Sequence, residues 1–594
     1  MGRISGQRKE KFLPPASGDI NVNACSNPSC NNFRIPVQKP KNDLLYTFTG
    51  SGRSSSIRCK SCKKHISIKS NIAINEEYLR IQNLEEKSKV YKQDGESCFN
   101  INCVSFGYKV AHHQNRYRKI GKTPAGNQRF QCKDCLSRFT FGSNKRVSHP
   151  MTKRYQNEGL YRAICNKTPL ARLPEMLDMA TGTLYRKIDM FYERSVAFMS
   201  ERENQLSKKN IAQLNLSTDR QEYHANWTDE ADKRHVVVTA IGTADKKSRY
   251  VFGMDANFDS TINLKDLHEM DEVERDSELP PYLRKYARLW TEADYLNAAK
   301  SNEIFTNHMN AEITHSFLDT EAKIEAVYSV NSDEWESEFG YPPEAFNYYS
   351  YLPQNGALVH LEYTMYAHFL NLRRLIGHSQ SINFFVDRES GIHRALALAF
   401  GDRFESENFN ALFVGSSKNL TIDERQKLVK DTKKLVKKTI KDYDLPSEFE
   451  AEMFLIEAAT YMHSFVSHGH EFYEIPIHRI NEAQKLISFI TNKNKHDFRE
   501  VAYLARQASL APIDSYFAQV RRRIQSLERP IHTQSNNQRV WKGYSPYSPS
   551  YIQKQLQIFR CYHNYVLPGK DGKTPAERIG IAKGPVEIRK ILYP

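Results

Sequence analysis

The cysteines limit most strongly what this chain can fold into, because eight of the ten fall into two identically spaced groups. In each group a C-x4-C pair is followed, after 28 intervening residues, by a C-x2-C pair. Adding 73 to each position of the first group gives a position of the second. The first group is Cys25, Cys30, Cys59 and Cys62, and the second is Cys98, Cys103, Cys132 and Cys135. The spacing indicates a duplicated unit.

Two short cysteine pairs on separate turns supply the four soft donors that a tetrahedral zinc ion requires. The residues between the pairs suit a β-hairpin, and units this small would depend on the metal for folding energy. Disulfides and an iron–sulfur cluster are alternatives, but duplicated spacing in a basic chain without a secretory signal favours zinc. We predict two structural Zn²⁺ sites, in zinc ribbons at 1–75 and 76–148. Cys165 and Cys561 are predicted to be ordinary buried thiols.

Length and charge narrow the classes of function. The 594 residues exceed the usual size of one domain, and a formal net charge of +16 makes nucleic acid the expected partner. The chain has no run of about 18 apolar residues, so no membrane partner is expected. Its first residues lack the apolar segment of a signal peptide. We therefore expect a cytoplasmic, nucleoid-associated protein that binds double-stranded DNA.

The segment 112–131, between the cysteine pairs of the second group, is rich in cations. Arg and Lys alternate there with Tyr117 and Phe130 on predicted strands. Such a mixture can pair with phosphates and lay aromatic rings on sugars or bases. We predict contact with DNA here, and a solvated hairpin is the alternative.

Helical periodicity begins after the second ribbon, over 149–205. Apolar residues recur at spacings of three, four and seven, and Thr168-Pro169 is typical of a helix start. A break around Gly182 precedes a second helix that is predicted to begin at Thr183. Two short helices around such a turn are typical of a helix-turn-helix domain, whose second helix enters the major groove. An ordinary helical hairpin is the alternative. The predicted DNA-binding residues are Thr181, Thr183, Tyr185, Arg186 and Lys187.

Two acidic residues close predicted strands in the following region. The stretch 211–219 predicts a short strand that ends at Asp219, and 381–387 predicts one that ends at Asp387. Other predicted elements are two strands within 235–259, an amphipathic helix that begins at Ile392, and a strand at 410–418.

A third acid, Asp514, lies early in a predicted helix whose continuation carries Arg521 and Arg522 about two turns later. An acid and cations arranged in this way could bind a metal ion and hold substrate phosphates beside it. Three other acids are alternatives, and Glu528 is the main one because it is predicted to lie at the far end of the same helix. The other two are Glu389 and Asp255.

Taken together, these parts resemble bacterial insertion-sequence transposases of the DD(E/D) type. The segment 513–522, IDSYFAQVRR, is similar to the third-acid helix of that family. Asn564-Tyr565 and the segment 573–578, KTPAER, are similar to its C-terminal signature. The order of parts covers nearly the whole chain. The chain departs from the family in having Asp514 where Glu is usual, and in the 168 positions that separate Asp387 from Asp219.

The resemblance implies a multidomain α+β fold. Two tandem four-cysteine zinc ribbons would precede a helix-turn-helix and a ribonuclease H-like α/β catalytic core. The core would span 206–560, with a helical insertion at about 260–375, and 561–594 would form a C-terminal tail.

The resemblance also implies a catalytic site of Asp219, Asp387 and Asp514 that holds two Mg²⁺ ions. Magnesium takes hard oxygen ligands, and a pair of ions can activate a nucleophile and stabilise a leaving oxygen. The expected function is a DNA transposase that binds element ends, cleaves phosphodiesters and transfers strands, as a homo-oligomer on DNA. One alternative is a non-catalytic, sequence-specific DNA-binding protein derived from a transposase. Another is a metal-dependent nuclease without strand transfer.

Overall fold

The chain divides into two units, each formed from segments that are distant in the sequence. The first unit comprises Met1–Leu79, Lys209–Arg522 and Leu527–Gln553, and the second comprises Arg80–Lys208, Arg523–Ser526 and Lys554–Pro594. The computed structural model describes residues 13–39, 43–50, 55–90, 98, 100, 103–105, 108, 110, 113–124, 128–140, 153–226, 235–295, 353–388, 391–416, 420–462, 464–467, 470–528 and 544–593.

Each cysteine group belongs to a small three-stranded antiparallel sheet. The first sheet consists of β1 (Tyr46–Thr49), β2 (Ser56–Cys59) and β3 (His65–Ser67), and helix α1 (Asn71–Val90) follows it. The second consists of β4 (Tyr117–Lys122), β5 (Gln128–Cys132) and β6 (Arg138–Thr140). The predicted hairpin between the cysteine pairs is therefore present in both repeats.

Two short helices and one long helix follow the second ribbon, and their bounds differ from the predicted ones. They are α2 (Asn157–Ile164), α3 (Leu173–Met176) and α4 (Thr181–Glu203). Pro169 does not open a helix, because its backbone is extended (φ −62°, ψ 130°) and a 3-10 turn begins at the next residue. Pro174 lies in the first turn of α3 instead, where a missing N–H costs nothing. The predicted second helix begins two residues earlier than expected, at Thr181.

An eight-stranded mixed sheet forms the centre of the first unit, in the order β14-β15-β16-β13-β12-β7-β8-β9. Its strands are β7 (Gln213–Ala225), β8 (Val236–Asp245), β9 (Val251–Ala256), β12 (Ser381–Val386), β13 (Phe409–Gly415), β14 (Ser464–Ser467), β15 (His470–Glu474) and β16 (Leu486–Phe489). A separate pair is formed by β10 (Phe258–Asp259) and β11 (Ala357–Leu358). Strand β12 runs parallel to β7 and β13, and the other neighbours are antiparallel.

The predicted end of the first core strand is wrong. Strand β7 does not end at Asp219 but continues for six residues to Ala225. The reason is the ladder with β8, which pairs Asp219 with Gly242 and persists to Ala225 and Val236. Asp219 therefore lies within a strand. The two predicted strands of 235–259 are confirmed as β8 and β9, and both are antiparallel to their neighbours.

Helices cover both faces of this sheet. They are α6 (Leu361–Ile376), α7 (Ile392–Phe400), α8 (Ile422–Tyr443), α9 (Glu448–Met462), α10 (Phe498–Gln507) and α11 (Ala511–Arg523). Helix α5 (Leu264–Glu274) follows β10 in the chain. On one face, Phe400 of α7 packs on Phe384 of β12. On the other, residues of α8, α9 and α10 share an apolar cluster with Phe385 and Leu412. Residues 296–352 of the predicted insertion lie outside the described residues.

The C-terminal segment completes the second unit. It contains the part of α12 (Pro549–Cys561) from Lys554 onward, a π-helical turn (Tyr562–Val566), α13 (Pro575–Arg578) and α14 (Ile588–Leu592). Cys165 and Cys561 are fully buried in this unit, as predicted. Among the residues that the structure describes, no helix has both the length and the apolar character needed to cross a membrane.

Candidate functional site

Each cysteine group brings four sulfur atoms together. Among the described residues, these two are the groups of three or more potential ligands whose ligand atoms all lie within 4.8 Å of one another. The closest Sγ–Sγ distances are Cys25–Cys62 3.5 Å, Cys30–Cys59 3.7 Å, Cys98–Cys135 3.4 Å and Cys103–Cys132 3.6 Å. Four sulfurs each about 2.3 Å from a tetrahedral zinc ion lie roughly 3.8 Å apart, whereas a disulfide needs about 2.05 Å. Each group could therefore hold one zinc ion.

The two groups share their backbone geometry as well as their spacing. The matching turn bonds are Cys30 N–H to Asn27 O and Cys103 N–H to Asn100 O, each 3.0 Å. Lys63 follows Cys62, and Leu136 follows Cys135 at the equivalent position of the second group. Both residues adopt left-handed backbone conformations (φ 63° and 60°). The duplication therefore extends to the turns that carry the ligands.

Hydrogen-bond donors face the sulfur atoms of the first group. The Asn32 N–H donates to Cys30 Sγ (3.4 Å), and the Asn32 side-chain amide donates to Cys59 Sγ (3.2 Å). Burial opposes ionisation of Cys30, but the Asn32 N–H and neighbouring side-chain donors outweigh it and lower the pKa of the thiol to about 7. Because zinc binds the thiolate, these donors favour the metal-binding form.

Tyr46, which was not among the predicted site residues, bonds to the backbone of the turn that carries Cys25 and Cys30. The Tyr46 hydroxyl accepts from the Cys25 N–H (2.9 Å) and donates to the Ile35 carbonyl (2.6 Å). Tyr117 does the same in the second ribbon, where its hydroxyl accepts from the Cys98 N–H (3.1 Å) and donates to the Ser105 carbonyl (3.1 Å).

The placement of Tyr117 and Phe130 differs from the expected one. Both side chains are buried in the core of the second ribbon, so neither presents a ring to a nucleic acid. Arg116 is half-buried, and other cations of this ribbon are exposed, among them Arg118, Lys119, Lys122, Arg129 and Arg138. The exposed surface of this ribbon is therefore cationic, and Tyr117 and Phe130 are not available to stack on bases.

The first ribbon packs on the helix that follows Asp387. The guanidinium of Arg394, in α7, is buried and donates to the Ser67 hydroxyl (2.7 Å) and the Ser67 carbonyl (2.8 Å). Phe33 stacks on Phe404, with ring centroids 5.5 Å apart. The first ribbon is thus part of the fold of the first unit.

The register of the central sheet brings two of the three predicted acids to one level. Val386 of β12 pairs with Thr218 of β7, and Asp387 and Asp219 are the residues that come next. Residues two apart on a strand share a face of the sheet. Asp219 therefore shares a face with Ser217, and Asp387 with Phe385, which is the strand partner of Ser217.

The third predicted acid lies on a helix that packs on the same face. The Ile513 N–H, in the first turn of α11, donates to the Ser217 hydroxyl (3.2 Å). A side chain at Gly242, the strand partner of Asp219, would meet Ile513 at 3.0 Å and Phe517 at 3.4 Å. Asp514 is the residue after Ile513, at a helix N-terminus, where a carboxylate is favoured.

A buried glutamate fixes this end of α11. The Glu482 carboxylate accepts from the Ser509 hydroxyl (2.6 Å) and from the N–H groups of Leu510 (3.0 Å) and Ala511 (3.3 Å). It therefore satisfies donors that a helix start leaves without partners. Nothing near Glu482 in the sequence marks this role, because the two segments are about 28 positions apart.

The three carboxylates are not a closed cluster. Unlike the sulfurs, their ligand atoms do not all lie within 4.8 Å of one another. Their oxygens are nonetheless the hard ligands that Mg²⁺ prefers, so the donor set fits that ion. The carboxylates of Asp219 and Asp387 each accept the N–H of the following residue, at 2.7 and 2.8 Å.

The alternative acids fare differently. Glu528 is exposed and does not belong to α11, because the helix ends at Arg523 and a 3-10 turn (Gln525–Leu527) follows. Asp255 pairs with the buried His368 (2.6 Å), in register with Ile241 and so on the sheet face opposite Asp219. Glu389 lies outside the described residues.

The predicted DNA-binding residues of α4 divide by burial. Thr181, Tyr185 and Arg186 are exposed and Thr183 is half-buried. Lys187 is buried, contrary to expectation, and its ammonium donates to the Asn157 side chain. Burial lowers the pKa of Lys187. On α11, Arg522 is exposed and Arg521 is half-buried.

Local contacts stabilise the C-terminal segment that contains Asn564 and residues 573–578. The Arg578 guanidinium donates to both oxygens of Asp571 (2.9 and 2.6 Å), and this pairing holds the pKa of Asp571 well below its usual range. Thr574 and Glu577 form a capping box at the start of α13. Asn564 is fully buried. These contacts account for the motif in structural terms.

Comparisons with known proteins give no relative. No protein-family model matches the chain, and a search of curated proteins finds no match. The fold and the sites therefore rest on the residues and contacts described above.

Proposed function

We propose that this protein is a DNA transposase of the DD(E/D) type, with a ribonuclease H-like core and a helix-turn-helix. The observation that carries the proposal is the β7–β12 register, in which Val386 pairs with Thr218 immediately before Asp387 and Asp219. Two acids at one level of neighbouring parallel strands, beside a helix that bears a third acid, form the arrangement that the family resemblance predicts.

The order of elements in the sheet supports the proposal further. Three antiparallel strands, β7 to β9, come first, and the parallel strand β12, helix α7 and the parallel strand β13 follow. This is the order expected from the resemblance. Strands β14 to β16 extend the sheet beyond it.

In the proposed site, Asp219, Asp387 and Asp514 would hold Mg²⁺. The bound ions would lower the pKa of an attacking water or 3′-hydroxyl and stabilise the leaving oxygen. Arg521 and Arg522, two turns along α11 from Asp514, would pair with phosphates of the DNA strand and keep it in line.

Binding of DNA ends is assigned to the second unit. Tyr185 and Arg186 at the start of α4 would contact bases, and the exposed cations of the second ribbon would contact phosphates. The zinc ions would stabilise both ribbons without taking part in the reaction. Assembly of two or more chains on paired ends, in the bacterial cytoplasm, belongs to the same proposal.

The experiment that tests the proposal is excision of a marked element flanked by its native ends. Wild type should cut in Mg²⁺, and Asp387→Asn should bind the ends equally well but cut at least about 100-fold more slowly, as removal of a key electrostatic group typically does. Asp423→Asn changes an exposed acid on α8 by the same one charge and should cut normally. Equal cutting by wild type and Asp387→Asn would contradict the assignment of Asp387.

A second candidate is a non-catalytic DNA-binding protein derived from a transposase. Its motivation is that the three carboxylates do not form the closed cluster of a single-ion site, because their ligand atoms are not all within 4.8 Å of one another. It predicts that wild type binds ends and cuts none of them in Mg²⁺ or Mn²⁺.

A further inference from the structure

The outer face of α8 carries an unusual concentration of lysines. Between residues 427 and 441 seven lysines are exposed, and Asp431 is the one acid. The lysines are Lys427, Lys430, Lys433, Lys434, Lys437, Lys438 and Lys441. Among the described residues, Lys434 pairs with Asp431 (3.3 Å), and both groups are exposed. We call the seven the lysine face.

The opposite side of α8 is packed against the first unit. Thr432, Val436 and Thr439 are buried, and Val436 belongs to the apolar cluster that includes Phe385 and Leu412 of the central sheet. The helix is therefore fixed in place, and its lysine face points to solvent. Since Phe385 shares a sheet face with Asp387, α8 lies on the side from which Asp219 and Asp387 project.

The lysine face is unfavourable for the isolated helix. Its members recur at spacings of three and four residues, where like charges on a helix repel one another. A helix selected only for solubility would alternate charges and gain from the same positions. The concentration of one sign therefore points to a polyanion that neutralises it.

We infer that the lysine face of α8 binds the phosphate backbone of duplex DNA, independently of base sequence. This inference rests on the proposed function, and names a second surface on which the same DNA is held. From 427 to 441 the helix rises about 21 Å, a length over which duplex DNA carries roughly a dozen phosphate charges. The chain's net charge of +16 agrees with such a partner.

Shape favours DNA over an anionic membrane. The lysine face is bordered by Glu424, Asp431 and Asp442. Of the apolar residues that a membrane-binding helix would insert, Val436 is buried and Leu435 is the one that is exposed between 427 and 441, which leaves too little apolar surface for insertion. A narrow cationic strip matches a rod of phosphates better than a flat sheet of head groups.

The test is duplex binding by the full chain as a function of salt, with a random-sequence DNA. The variant Lys430→Gln/Lys434→Gln/Lys437→Gln removes three charges from the middle of the face. Its control, Lys570→Gln/Lys583→Gln/Lys590→Gln, removes three exposed charges from the second unit. Gln and Lys have similar helix propensities, and the capping box of Thr421 and Glu424 remains, so both variants should melt like wild type.

The expected result is a shallower salt dependence for the first variant alone. Each phosphate contact contributes about 0.9 to the slope of log K against log salt, so three lost contacts lower it by up to about 2.7. An unchanged slope, or an equal change in the control, would overturn the inference. Loss of binding to anionic phosphatidylserine vesicles with an unchanged DNA slope would overturn it in favour of a membrane.

The outcome is separable from that of the proposed function. Salt-dependent binding does not require cutting, so it can be measured in Asp387→Asn. If the lysine variant loses slope while no variant cuts DNA, the inference stands and the catalytic proposal fails. If Asp387-dependent cutting is found but the slope is unchanged, only the inference fails.

Discussion

Glu482 and Lys485 hold the two sides of the joint between α10 and α11. The Lys485 ammonium donates to the carbonyls of Ala505 (3.1 Å) and Ala508 (2.8 Å), at the end of α10. Glu482 accepts from the N–H groups that open α11. Both residues are buried. The positive Lys485 bonds to carbonyl oxygens and the negative Glu482 bonds to N–H groups, so both contacts are electrostatically favourable. Together they fix where α11 begins and therefore where Asp514 lies.

The Lys485 side chain makes stability depend on pH. Burial lowers its pKa to about 8, and the cations of Arg479, Lys246 and Arg506 add to this while Glu482 opposes it. Below pH 8 the lysine is charged in both the folded and the unfolded chain. Between about pH 8 and 10.5 the unfolded chain binds more protons, so stability rises with pH in that window.

Lys485→Met should remove this dependence. The free energy of unfolding of wild type relative to the variant should increase by up to about 1.4 kcal/mol per pH unit above pH 8. Denaturation at pH 7.5, 8.5 and 9.5 measures it, and the exposed Lys583→Met is the control. A difference that is constant with pH would show that Lys485 remains charged when folded.

The metal content should be two zinc ions for each chain. Cys132→Ser, after dialysis against a chelator, should retain one, because three sulfur ligands bind zinc more weakly than four. Elemental analysis of the purified protein measures this, and Cys165→Ala should retain both ions, since Cys165 is buried outside the two groups. Two zinc ions in Cys132→Ser would mean that Cys132 is not a required ligand, and one ion in wild type would mean that one of the two groups is not a site.

Asp514 and Glu528 can be separated as candidates for the third ligand. Asp514→Asn should slow cutting by about 100-fold or more, whereas Glu528→Gln should cut at the wild-type rate because Glu528 lies beyond the end of α11, far along the chain from the turn that packs on Ser217. Single-turnover cleavage of pre-bound ends gives both rates. The reverse ranking would move the third ligand to Glu528.

Arg186 and Lys187 are neighbours with different expected roles. Arg186→Gln should weaken binding to element ends by roughly 1–3 kcal/mol, the range for a specific base contact, and leave the melting temperature unchanged. Lys187→Met should instead change the melting temperature, because Lys187 is buried against Asn157. Titration with labelled ends and thermal melting distinguish the two. Equal loss of binding without a change in melting would place Lys187 in the DNA interface.

The zinc sites could be predicted from the sequence because their ligands come in short pairs, whose spacing is local. The roles of Tyr46 and Tyr117 could not, since they depend on which residue lies opposite on the next strand. The burial of Lys187 had a usable signal. It lies three residues after Leu184 and four before Phe191, on the apolar side of the helix.

The sequence predicted which segments form strands of the central sheet, but not where each strand ends. Local patterns marked β8, β9, β12 and β13, but the length of β7 is set by pairing with β8, which only the folded chain defines. Glu482 and Lys485 bond to residues twenty or more positions away, so local patterns gave no indication of these caps.

The contact of Ser67 with Arg394 bears on how the protein may be shortened. Removing the N-terminal 75 residues would strip the partner from a guanidinium that is buried beside the helix after Asp387. The truncation would also uncover Phe404, on which Phe33 stacks. Newly exposed apolar surface favours aggregation, so the remainder should aggregate or misfold. The first ribbon is then not a detachable module, and loss of activity in such a truncation would report on folding of the core rather than on recognition of DNA.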